Sequence, residues 1–99
     1  MYEQKGLIKV FNGNKFKTVS YKNENGLITF TTSSKSNKYR ELTKTHKIKV
    51  KEDGNIKEYD VLILEDIETV DKIFNELKST KVIPFFIPRK DKIIVQYNI

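Results

Sequence analysis

A chain of 99 residues is long enough for one domain with a modest core and too short for a deep private cavity. It holds no cysteine, which excludes disulfides and thiolate metal sites. Its net charge is +6, unevenly divided: residues 1–51 carry twelve basic and three acidic side chains, residues 52–99 seven and ten.

Gly6 to Phe11 reads as a first strand, and Asn12-Gly13-Asn14 as a turn, because glycine and asparagine reach positive φ at low cost. Lys15 to Tyr21 alternates, with Phe16, Thr18 and Ser20 on one face and Lys15, Lys17, Val19 and Tyr21 on the other. A second turn, Asn23 to Gly26, leads into Leu27 to Thr32, a β-branched and aromatic third strand. Ser36 to Thr45 reads as a short helix capped by Ser34 or Ser36; its thin apolar stripe, Tyr39 and Leu42, suits a lid over a barrel end. Lys47 to Lys51 alternates as a fourth strand, Asp53-Gly54 turns the chain, and Asn55 to Leu64 makes a fifth.

Val70, Ile73, Phe74 and Leu77 recur at i, i+3, i+4 and i+7, the stripe of a second helix. Glu65, Asp66, Glu68 and Asp71 gather at its start, where the helix dipole favours carboxylates; they read as dipole partners rather than metal ligands. A last hairpin pairs Val82 to Ile87 with Lys92 to Tyr97 across Arg89-Lys90-Asp91. Pro84 has no N–H to give a ladder and belongs at an edge or bulge. Phe85 and Phe86 face opposite ways in such a strand, so one of them belongs at a subunit interface. The order βββ-α-ββ-α-ββ predicts a mainly β chain with two short helices, one small antiparallel split β-barrel over residues 1–99.

Chemistry concentrates where the third strand runs into the first helix. N–H groups at a helix start lack partners and carry the positive end of the dipole. The hydroxyls of Thr31, Thr32, Ser33 and Ser34 and the ammonium of Lys38 would add donors and charge for an anion there, a phosphate above all. Alternatively, the same hydroxyls cap the helix. His46, the single histidine, has no nucleophile or carboxylate at recognisable spacing and reads as structural. No residue stands out as an acid, base or nucleophile. The basic half of the chain raises nucleic acid as a partner. The excess is nearly all lysine, with Arg40 and Arg89 the only arginines, and this weighs against it, because base and phosphate recognition favours arginine forks. No apolar run approaches the ~18 residues of a membrane span, and Met1 to Lys5 lack a signal peptide's apolar core, so a cytoplasmic protein without a membrane partner is expected.

The chain resembles the flavin-binding split-barrel proteins, the pyridoxamine 5′-phosphate oxidase-like family. The resemblance rests on Phe30-Thr31-Thr32, then a small polar turn, then Ser36-Asn37-Lys38, Leu42 and His46-Lys47-Ile48, at the family's spacing without a gap, and it extends over residues 6–97. It implies that Thr32, Ser36 and Lys38 grip the phosphate of FMN, with Thr31 and Asn37 in the same motif. It implies an assisting cation at Lys15, or at Lys17 on the same face, and Thr18 and Val19 near the flavin ring or the core. It also implies a homodimer with the flavin in the seam; a deazaflavin or haem is the other cofactor it leaves open. Four departures stand out, the first being that the family's usual helix before the first strand is absent. The family's Arg-Lys pair reads Asn37-Lys38, its proline is His46, and the C-terminal Arg-x-His of the vitamin B6 oxidase is replaced by Val95-Gln96-Tyr97-Asn98-Ile99. The leading expectation is an FMN-binding protein, a flavin-dependent oxidoreductase of undetermined substrate. The alternatives are a non-catalytic binding or sensing module of the same fold, and a basic nucleic-acid-binding barrel.

Overall fold

In the computed structural model, which describes residues 3–99, nine elements follow in order. They are β1 (Lys5–Phe11), β2 (Phe16–Glu24), β3 (Leu27–Ser33), α1 (Asn37–Thr45), β4 (Lys47–Glu52), β5 (Asn55–Asp60), β6 (Leu62–Leu64), α2 (Ile67–Ser79) and β7 (Lys92–Asn98). Met1 and Tyr2, the start of the segment read for a leader, lie outside the described residues. One antiparallel sheet holds all seven strands in the order β5-β4-β1-β2-β3-β7-β6. It curls into a small β-barrel, mainly β with two helices, as the sequence predicts.

The tight turns follow from local chemistry. Asn25-Gly26 joins β2 to β3 with φ of 54° and 89°, and Asp53-Gly54 joins β4 to β5 with φ of 49° and 81°. Two successive left-handed residues match the right-handed twist of the strands they connect. Alternation then sorts the side chains. Ile8, Val10, Tyr21, Ile28, Phe30, Ile48, Val50, Val95 and Tyr97 fill the barrel, and Leu42 of α1 closes one end. On the outside of β7, Val70 and Leu77 of α2 pack with Val82 on Ile94 as a second apolar layer.

Two strand expectations are corrected. Asn55 to Leu64 is not one strand with one neighbour. Its first part pairs with β4 and its second with β7, and the change falls at Val61, whose N–H donates to the carbonyl of His46 at 3.1 Å. The inward–outward alternation continues unbroken through Val61, so the segment carries the sheet from one edge to the other. The second correction is the missing strand at Val82 to Ile87. Lys81 turns left-handed after α2 (φ 63°), and the N–H groups of Val82 and Ile83 fold back to the carbonyl of Leu77 at 2.9 and 3.3 Å. β7 already has β3 on one side and β6 on the other, so it offers no place for a hairpin partner. Phe85 and Phe86 therefore do not take opposite faces of a strand. Both lie exposed, at 82% and 71%, in an edge-to-face pair with ring centroids 5.9 Å apart.

Candidate functional site

The corner between β3 and α1 is built by Ser36. Its hydroxyl accepts from the N–H of Tyr39 at 3.1 Å, which makes it the N-cap of α1, and donates to the carbonyl of Ser33 at 2.7 Å. Thr32 is buried on the barrel side of β3, its hydroxyl 3.2 Å from that of Ser36. Thr31 points the other way and donates to the carbonyl of Ile93 at 2.9 Å, so it belongs to the β3–β7 seam rather than to the corner. Ser33 donates to the carboxylate of Asp91, and the N–H of Ser34 to the Asp91 carbonyl at 2.9 Å. That hydroxyl bond holds the Asp91 carboxyl below its usual range. Of the hydroxyls read as a phosphate cradle, those of Thr31, Thr32 and Ser33 are thus already engaged within the chain. His46 is the C-cap of α1, left-handed at φ 57°, with its N–H on the carbonyl of Leu42 at 2.7 Å.

Lys38 is the unusual member. It is 9% exposed, and its ammonium lies 5.8 Å from the centroid of the Phe30 ring. It makes no hydrogen bond or ion pair with the described residues. Burial pulls its pKa down to about 8, and the neighbouring charges of Lys17 and Lys92 add to the depression. A cation taken out of water costs several kcal/mol unless something compensates it. Here the nearest charges have the same sign. The charges of Lys17 and Lys92 thus act on Lys38 in the first turn of α1, whose unpaired N–H groups add to the positive potential.

The structure therefore brings together Lys17, Lys38, Thr32 and Ser36 of the sequence-predicted residues. Lys15 is exposed in the turn before β2, its N–H on the Asn12 side chain at 2.8 Å. Asn37 is also exposed and lines a shallow depression with Gly13, Arg40 and Lys44. Val19 packs against the core, and Thr18 is exposed on the opposite face of β2. Lys92 and Asp91 were missed by sequence reasoning. Both come to the corner only because β7 pairs with β3, a contact across about sixty residues that no local pattern signals. No helix among the described residues is long and apolar enough to cross a membrane.

Neither a protein-family model, nor a curated protein, nor a solved structure matches the chain.

Proposed function

We propose that this chain is an FMN-binding β-barrel protein that holds the cofactor's phosphate at the mouth between β2, β3 and α1. The observation that carries the reading is Lys38: a lysine only 9% exposed, with no carboxylate partner, on which the charges of Lys17 and Lys92 also act. An anion with two negative charges offsets what the fold leaves uncompensated, and the Thr32 hydroxyl, 3.2 Å from that of Ser36, can turn its proton to such an anion. These residues fit a phosphate. The larger clefts, of 540 and 680 Å³, lie away from Thr32, Ser36 and Lys38, so the flat ring needs a second surface. A homodimer supplies one, and the exposed Phe85–Phe86 pair is apolar area that a second copy would cover. A bound flavin supplies electron transfer; the chain supplies position and charge.

The test is a titration of FMN and of riboflavin into the purified protein, followed by flavin fluorescence, beside sedimentation to read the oligomer. FMN should bind and riboflavin, which lacks the phosphate, should not. Thr32→Ala with Lys38→Met should remove FMN binding and leave the fold. Equal binding of the two flavins, or unchanged FMN affinity in the double variant, would remove the phosphate assignment. The Ser33–Asp91 bond favours a second reading, a sensing module of the same fold without cofactor. Colourless protein that takes up no flavin would support it.

A further inference from the structure

The outer face of β4, β1 and β2 lies away from the barrel mouth and is covered by neither helix. Register and alternation place Lys9, Lys49, Lys51, Phe11 and Phe16 on it. Lys9 stands directly opposite Lys51 across the β1–β4 pair. Like charges at directly opposed positions destabilise a sheet. Lys49 has Glu58 as its cross-strand neighbour, yet it forms no ion pair with it or with any described residue. Its ammonium lies instead 5.5 Å from the Phe11 ring centroid, and that of Lys51 lies 5.4 Å from the Phe16 ring. The two rings adjoin, with centroids 5.4 Å apart. Beside them a cleft of 540 Å³ runs over the exposed Leu7 between Lys9 and Lys51.

Core packing does not require this arrangement, since all three lysines are exposed. It costs repulsion and leaves aromatic surface under cations that form no ion pair among the described residues, although Glu58 lies opposite Lys49 and Glu52 and Asp53 line the cleft with Lys9 and Lys51. A polyanion with flat rings answers both features: phosphates take the ammonium groups and bases take the ring faces. We propose that this face binds single-stranded nucleic acid, with backbone phosphates on Lys9, Lys49 and Lys51 and bases stacked on Phe11 and Phe16. The shortage of arginine argues against base-specific reading in a duplex groove. It does not argue against backbone capture with stacking, which needs only charge and ring faces. The face is separate from the flavin-phosphate corner and does not depend on it.

The experiment is fluorescence anisotropy of a labelled mixed-sequence single-stranded oligonucleotide, titrated with the full chain over a series of salt concentrations. Three phosphate contacts predict a slope of about −2 in log affinity against log salt. Lys9→Gln with Lys49→Gln and Lys51→Gln should flatten that slope, and Phe11→Leu with Phe16→Leu should weaken single-strand binding about tenfold or more. Circular dichroism verifies that each variant folds. Thr32→Ala with Lys38→Met should bind the oligonucleotide as the parent does, which separates this surface from the corner. Absent binding, or binding that survives the triple lysine variant, overturns the proposal. Duplex DNA or heparin bound as tightly, with no loss in the phenylalanine variant, overturns it in favour of a general polyanion surface.

Discussion

Replacing Lys38 by methionine should stabilise the empty protein. Methionine keeps an unbranched stem against the Phe30 ring and removes a charge that the fold does not compensate. Folding lowers the pKa of Lys38 from 10.5 to about 8, mainly through burial. At ~1.4 kcal/mol per unit this is roughly 3 kcal/mol of penalty on the charged form. The share due to Lys17 and Lys92 is screened by salt and the ring contact is lost, which leaves a gain of about 2 kcal/mol at pH 7. For a domain of this size that raises the melting midpoint by about 10 °C. The dependence on pH is the sharper signature. Below about 8 both folded and unfolded chains hold the proton, and the penalty is fully present. Between about 8 and 10.5 only the unfolded chain holds it, so the parent gains stability as pH rises and its gap to the variant closes. Urea melts of both proteins at pH 7 and pH 10, followed by circular dichroism, read the gap. A variant less stable than its parent at pH 7, or a gap equal at both pH values, would refute the claim that Lys38 is an uncompensated cation.

Ser36→Ala should cost about 1 kcal/mol through loss of the N-cap of α1, read in the same melts. Asp91→Asn removes the carboxylate bonded to Ser33 and should raise FMN affinity in the fluorescence titration; weaker binding would contradict the anion site. Leu42→Ala opens a cavity where α1 seals the barrel and should cost 2–5 kcal/mol at the high end of that approximate range, because the residue is fully buried. Phe85→Ser with Phe86→Ser should leave the melting of a single copy within about 0.5 kcal/mol while dissociating the proposed dimer in sedimentation.

Much of the scaffold could be read from residues whose local chemistry leaves little choice. Asn25-Gly26 and Asp53-Gly54 dictate their turns, and the i, i+3, i+4, i+7 spacing in α2 survives as its buried stripe of Val70, Phe74 and Leu77. Of the two caps the sequence offers, Ser34 and Ser36, it is Ser36 that forms. The segment 82–87 misled because its apolar residues look like a strand, whereas a helix C-terminus and an occupied neighbour decide otherwise. At the corner, the motif from Thr32 to Lys38 spans the N-cap of α1 and Lys38, only 9% exposed. The burial of Lys38 was invisible, because a lysine among many looks solvated, and the arrival of Asp91 and Lys92 depends on a pairing set by the whole sheet. The stacked charges of Lys9 and Lys51 likewise needed the register of β1 on β4, which alternation alone leaves undefined.

The seam between β3 and β7 has a consequence for how the protein is made. Thr31 and Ile93, bonded across it, are 62 positions apart. The meander of β1, β2 and β3 can assemble early from short-range contacts, but Ile28 and Phe30 stay uncovered until β7 arrives. Such distant pairing places folding in the slow, millisecond-to-second regime of β-rich domains. A nascent or truncated chain that stops before Lys92 is then an adhesive half-shell, a natural substrate for chaperones and a poor candidate for expression as a fragment.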